Sequence, residues 1–423
     1  MRGVKKGLQK SPKPGAVSVW FGTLGVWMFL ILSSSYFSVP ALHASEDWYQ
    51  YHGPQRDRIS TESDWNAEWG AEGPPVKWRA QVGIGFSSIA VRDGKVFTMG
   101  NTNDEDTVWC FDADTGKVIW KFSYPCELFP NMHEGGPGGT PTVSETRVYT
   151  ISKDGQMYCL DVNSGEQVWF HDLKKLLNTE MPRWRFANSP YLEEGKLIVD
   201  AGVIAALEPE TGRVIWKTKN YGSAYSSAVV FDVHGRRCIV ALPESGLVLL
   251  DAASGKELGF YPWETMYGIN AATPVVHENK VFISSGYNKG AALLAVDDNF
   301  SLQEIWNSRE MRNQLNASVY WEGHLYGFDE SMLKCLNFNT GEEKWRKRGL
   351  GKGSLMLAGD KLIILSERGT LVIAEATPDE YQEISQAQVL EGRCWTVPVL
   401  ADQKIYCRNA EGDFICVDVS NPS

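Results

Sequence analysis

The sequence predicts an all-β fold, an eight-bladed β-propeller closed by pairing an N-terminal strand with the last blade. Three observations lead there: a strand-turn-strand motif that recurs along the chain, the distance between its copies, and an unequal count of inner and outer strands. The motif reads DADTGKVIW from Asp112, DVNSGEQVW from Asp161 and EPETGRVIW from Glu208. It continues as DAASGKELGF from Asp251, DDNFSLQEIW from Asp297 and NFNTGEEKW from Asn337, weakens to EATPDEYQEI from Glu375, and stops at DVSNPS from Asp418. Successive copies lie 49, 47, 43, 46, 40, 38 and 43 residues apart, the period of a four-stranded propeller blade.

Within a unit, three inner strands come first, as in GGTPTVSETRVYTISKDGQMYCLDV, where Lys153-Asp154-Gly155 closes a hairpin through a turn that tolerates positive φ. The outer strand follows the acidic turn. Outer strands are expected to begin at Lys117, Glu166, Arg213, Lys256, Leu302, Glu342 and Tyr381, seven for eight inner triplets. The missing one stands at the front: Pro75-Val76-Lys77-Trp78-Arg79 has outer-strand character with no triplet before it. Pairing it with the final triplet, Arg393 to Val419, locks the first blade to the last and leaves no open sheet edge in the ring. Trp78, Trp120, Trp169, Trp216, Trp306 and Trp345 recur one per blade. They read as packing residues against the neighbouring sheet and its Asp-to-Gly turn, rather than as a sugar-stacking series.

Composition narrows the function. Of 423 residues, 43% are hydrophobic and 22% charged, with 16 Trp, 16 Tyr and 17 Phe, which excludes a disordered chain. The formal charge is −11. Residues 1–44 carry five basic and no acidic side chains, so the remainder holds 36 basic against 52 acidic, a net of −16. Such a surface repels phosphate backbones and argues against a nucleic-acid partner.

Arg2, Lys5, Lys6, Lys10 and Lys13 form a basic stretch, followed by 24 uncharged residues from Ala16 to Val39. This is an export signal with cleavage expected before SEDWYQ; an uncleaved anchor formed by residues 16–39 is the alternative. The expected organisation is therefore 1–44 signal peptide or anchor, 45–74 leading segment, and 75–423 propeller. Residues 45–423 lie in the periplasm or cell envelope, with no membrane insertion beyond the N-terminal segment.

Eight cysteines in an exported chain invite disulfides, but Cys110, Cys159, Cys335 and Cys416 each stand two residues before the turn residue, where other units have Ala206, Leu249, Ala295 and Ile373. The slot wants a modest apolar group. Cys407 is expected opposite Cys416 across the Glu411-Gly412 hairpin, where a bridge can form. No C-x-x-C, C-x-x-C-H or H-E-x-x-H occurs, so no metal site or haem attachment is expected.

The motif strand, D-A-x-T-G, K-V-x-W resembles the pyrroloquinoline quinone (PQQ) repeat, shared by quinoprotein alcohol dehydrogenases and a non-enzymatic outer-membrane assembly lipoprotein. The likeness spans about 350 residues. DWYQYHGPQRDRIS, NMHEGGPGGTPTVSETRVYT, YGINAATPVV, ISSGYNKGAALL, MRNQLNASV, GLGKGSLMLAGDKLIILSE and CWTVPVL resemble an exported PQQ-binding-like propeller subfamily. The chain departs in its leading segment, where His52 replaces the Arg of an R-G-P triplet and Arg58 replaces Gly. The dehydrogenases are longer and use adjacent cysteines beneath the quinone with calcium beside a catalytic Asp. This chain has no Cys-Cys pair, and no calcium-ligand set can be placed by motif.

The expectation is a non-catalytic binding or scaffold module of the bacterial envelope, with no cofactor, for an envelope protein, a peptide or a small anionic ligand. A PQQ- and calcium-dependent alcohol or sugar oxidoreductase is the alternative. A glycan hydrolase would need paired carboxylates about 5 to 9 Å apart, which a sequence cannot display. The segments that open the innermost strands are rich in polar and aromatic groups. His133, Glu134, Arg185, Asn188, Tyr225, Asn270, Asn316, Lys352, Arg393 and Trp395 are expected to converge there from different blades around the central channel. Arg185, Lys352 and Arg393 against the single carboxylate Glu134 would leave positive charge suited to an anion.

Overall fold

A hairpin-linked sheet is built from each repeat, and eight such sheets form the ring in the computed structural model, which describes residues 47–70 and 72–421. The export segment lies outside the described residues. Blades 1 to 7 span residues 90–125, 142–172, 191–220, 229–262, 275–308, 319–347 and 354–388, each with four antiparallel strands in chain order. Blade 8, residues 399–418, supplies only three. Its fourth is β2 (Val76–Gln81), antiparallel to the last strand with Trp78 opposite Cys416 and Ala80 opposite Phe414. A further strand, β1 (Ile59–Ser60), pairs parallel with the inner edge of blade 7, Ile59 opposite Leu357. One short helix, α1 (Leu173–Leu177), follows blade 2 and is capped by the Asp172 carboxylate, which accepts from the Lys174 and Lys175 amides.

The Trp series is the joint between blades. Trp78, Trp120, Trp169, Trp306 and Trp345 each donate the indole N–H to a carbonyl in the turn of the following blade, at Ala113, Val162, Pro209, Phe338 and Thr377, over 2.7 to 3.0 Å. In four of these turns, all but that at Thr377, a Gly lies beneath the ring. At Gly116 and Gly165 φ is +66° and +72°, and a Cβ would sit 2.6 Å from the indole of Trp78 and Trp120, so both backbone and contact exclude a side chain. Where the Trp is missing, something else fills the place. Gly259 of blade 4 faces the Phe300 carbonyl and the Leu302 side chain of blade 5, while Ser385 of blade 7 donates to the Ala67 carbonyl in a leading segment that packs Trp65 and Trp69 there.

Every outer strand also carries a register shift beside that position, from Val76/Trp78 to Ile373/Ala374. These bulges sharpen the local twist. Cys110, Cys159, Cys335 and Cys416 are the cross-strand partners of Trp120, Trp169, Trp345 and Trp78. A small buried thiol there leaves room for the indole, and burial pushes all four up to about 12. The expected Cys407–Cys416 juxtaposition is wrong by one residue. Cys407 pairs with Ile415 and Cys416 with Tyr406. Because side chains alternate along a strand, that slip puts the two thiols on opposite faces of the sheet. All eight cysteines are free and buried.

Candidate functional site

Two kinds of segment build the site. Each innermost strand is preceded by a loop that turns in from the previous blade, and these loops ring one end of the channel. The leading segment crosses the other end. Trp48 bridges to Val91 of blade 1, the Tyr49 carbonyl accepts from Val143 of blade 2, and the Gln50 amide oxygen accepts from Leu192 of blade 3. Arg56 then donates to the Ala228 carbonyl beside blade 4 (2.9 Å), and its guanidinium lies 4.2 Å from the Tyr191 ring. Arg58 donates to His52 Nε2 (2.7 Å), to the Ala317 carbonyl before blade 6 (2.8 Å) and to the Leu355 carbonyl of blade 7 (3.4 Å). Glu62 accepts from the Asp402 and Gln403 amides of blade 8. His52, Arg56 and Arg58 are buried with φ of 69°, 61° and 66°. Burial, with Arg58 and Arg56 alongside, holds the His52 imidazole well below its ordinary range.

The result is a cup of about 330 Å³ with Tyr51 of the leading segment in its lining and all eight blades contributing. Its walls include Phe86, Phe129, Trp184, Tyr225, Tyr287 and Trp395, with the cations Lys153, Arg185 and Lys352. Phe86 stacks on Trp395 (centroids 5.6 Å) and meets His133 edge-on (5.4 Å). No carboxylate is among the lining side chains of the described residues. Asp154 lies behind them, 2.9 Å from the Lys153 ammonium and 3.7 Å from Arg185. Glu367 accepts from the Trp395 indole (3.1 Å) and the Lys352 amide (3.1 Å).

Of the ten residues the sequence nominated, His133, Arg185, Tyr225, Asn316, Lys352 and Trp395 line the cup. Glu134 and Arg393 stand outside the lining and bind each other at 2.7 Å, with Arg393 over the Trp395 ring at 4.5 Å. Asn188 and Asn270 do not line it either. Asn188 donates to the Ser226 carbonyl, and Asn270 donates to Pro243 and Trp263 while accepting from Ser285. Both tie neighbouring loops together inside the wall. The notion of a single carboxylate also needs correcting, since Asp154 and Glu367 join Glu134. Lys153, Arg185, Lys352 and Arg393 against these three still leave one positive charge in excess. Lys153 and Asp154 read in the sequence only as hairpin residues, and Glu367 carries no signal there, because each sits in a hairpin after the second strand and outside the segments that open the blades. The His133 imidazole accepts from the Gly135 amide (3.0 Å), and burial lowers its pKa.

A family model described as outer membrane protein assembly factor BamB (PQQ_2) matches residues 104–347. The chain belongs to this family. BamB of Yersinia pestis is 23% identical over 370 residues, covering 80% of this chain and 87% of that one; BamB of Bordetella pertussis is 24% identical over 351, covering 80% and 73%. A polyvinylalcohol dehydrogenase of a Pseudomonas species is 22% identical over 196 residues, covering 38% and 29%. BamB of Moraxella catarrhalis superimposes with a TM-score of 0.61 at 14% identity, over 82% of this chain and all of that one. Quinohemoprotein alcohol dehydrogenase of Comamonas testosteroni gives 0.62 at 13%, over 89% and 81%. Both of the solved structures share the propeller fold.

The dehydrogenases raise a calcium-held quinone. Calcium takes roughly six to eight oxygen ligands. Glu134, Asp154 and Glu367 are each directed to a neighbouring donor, and the described residues contain no group of three or more His, Cys, Asp or Glu able to share a metal. Cys394, next to Trp395, is buried with its thiol pushed up to about 12 and has no adjacent cysteine.

Proposed function

We propose that the chain is a non-catalytic binding propeller of the bacterial envelope, a scaffold that engages another envelope protein through its cup and the rim around it. One observation carries the reading: all eight blades contribute to a cup whose lining is aromatic and cationic, while the nearby carboxylates are turned to donors within the wall. Such a surface recognises; it offers no free carboxylate pair for acid-base work. The BamB relatives supply the setting, envelope assembly, and the export-type N-terminus agrees with it.

Photo-crosslinking in cells tests it. A photoreactive residue at Met266, on the rim, should give an adduct with one envelope protein that the purified partner reproduces, whereas the same residue at Ile305, on an outer strand, should not. Equal labelling from both positions would remove the reading. So would a micromolar or tighter complex with PQQ and calcium showing dye-linked alcohol oxidation, which would put an oxidoreductase in its place.

A further inference from the structure

We infer that the cup takes the free carboxyl end of a polypeptide, with the last side chains of that polypeptide resting on the rim; this rests on the binding-scaffold reading and names its ligand. The shape comes first. With Tyr51 in the lining and the leading segment crossing beneath, the cup is entered from one side. A strand passing through has no exit, so an end is what fits.

Charge then selects which end. Lys153, Arg185 and Lys352 face the space and no carboxylate does, in a protein whose residues 45–423 carry a net of −16. The Lys352 ammonium has no partner among the described residues. Arg185 keeps a buried Nε without a hydrogen bond, and Tyr225, whose hydroxyl accepts from the Trp184 amide, retains its proton to donate. A carboxylate is an acceptor-only group with about four lone-pair sites, and charge-assisted bonds to it are the strong ones. A free amino terminus would meet like charge instead.

The rim argues for peptide rather than sugar. Met132, Met266 and Tyr267 are 86%, 74% and 49% exposed, and Tyr287 stands beside Tyr267. Every other large exposed apolar side chain among the described residues lies on an outer strand, spread around the ring. Trp184 meets Tyr267 at 78° and Tyr267 meets Tyr287 at 84°, which makes notches between rings instead of a flat stacking platform. Methionines adapt to varied apolar side chains.

The test uses the full-length protein and two pools of fluorescein-labelled hexapeptides, randomised at the last four positions and ending in a free carboxylate or a carboxamide. Fluorescence anisotropy should show the acid pool bound roughly tenfold more tightly, as expected for a charge-assisted pair in a partly buried site. Lys352→Gln, with its melting temperature unchanged, should erase the difference, and Tyr267→Ala should weaken both pools alike. Equal binding of the two pools, no binding of either by folded protein, or displacement of the acid pool by acetate at the same concentration would overturn the inference. If both pools are refused while Met266 still crosslinks an envelope protein, the scaffold reading stands and only the carboxyl-end inference falls.

Discussion

Trp120 and Trp216 occupy the same position in blades 1 and 3 and are held differently. Trp120 is buried and its indole N–H reaches the Val162 carbonyl, whereas Trp216 is half-buried with no partner for its N–H. Trp120→Ala should therefore cost about 3–5 kcal/mol in equilibrium denaturation, the range for a large buried aromatic, and Trp216→Ala clearly less. Asp200 offers a pH-dependent case. Burial raises its pKa to about 6, and the Gly202 amide donates to its carboxylate. Between about 4 and 6 the folded protein holds a proton that the unfolded chain has released, so this group's contribution to stability falls as pH rises through that window. Asp200→Asn keeps the acceptor and removes the buried charge. It should stabilise the fold at pH 7 by about 3 kcal/mol in equilibrium denaturation and change little at pH 4; a loss at pH 7 would contradict this.

At the scale of elements, the leading segment is the part with no repeat partner, yet it touches the inner edges of blades far apart in the chain. Its two arginines satisfy carbonyls between inner strands, which closed four-stranded sheets leave without strand partners. His52 accepts from Arg58 and so must stay neutral. The unfolded chain takes up a proton below about 6.5 and the folded protein does not, so stability is present above that pH and declines below it. His52→Gln should flatten the part of the decline that lies between pH 6.5 and 5. An unchanged slope in chemical denaturation across that range would show that the segment does not hold the imidazole neutral. The repeats foretold nothing of this arrangement. His52 and Arg58 were visible as departures from a family pattern, but the Ala317 and Leu355 carbonyls that Arg58 reaches lie 259 and 297 residues away.

For the whole molecule the question is how a ring of eight units closes. β2 completes blade 8, and Arg408 adds a second fastening. Its fully buried guanidinium donates to the Gly83, Ser87 and Met99 carbonyls and the Thr98 hydroxyl of blade 1 and its approach, and burial lowers it to about 9. A chain beginning at Gly83 lacks β2 and should lose cooperative unfolding; one that kept the full melting temperature would sink this account of closure. Arg408→Ala should cost about 3–5 kcal/mol, because it strands several buried carbonyls at once. Double-mutant comparison with Trp78→Ala, which loosens the same joint, should show non-additive losses.

What the sequence by itself determined is what repeats. The blade count, the strand order, the closing strand and the Trp joints follow from a local motif whose contacts reach only the neighbouring unit, so period and composition carry them. Six of the ten nominated channel residues line the cup for the same reason: the loops before the inner strands meet at the axis in any such ring. Tertiary structure decided the rest. Whether Cys407 meets Cys416 or Ile415 depends on a single residue of register, which turns a side chain from one face to the other, and whether Asn188 faces the channel or the wall depends on the Ser226 carbonyl of the next loop. The floor of the cup, the carboxylates behind its lining and the buried Arg408 depend on contacts between segments distant in the chain. Those pairings follow from shape and hydrogen-bond demand once the ring has formed, and no local pattern announces them.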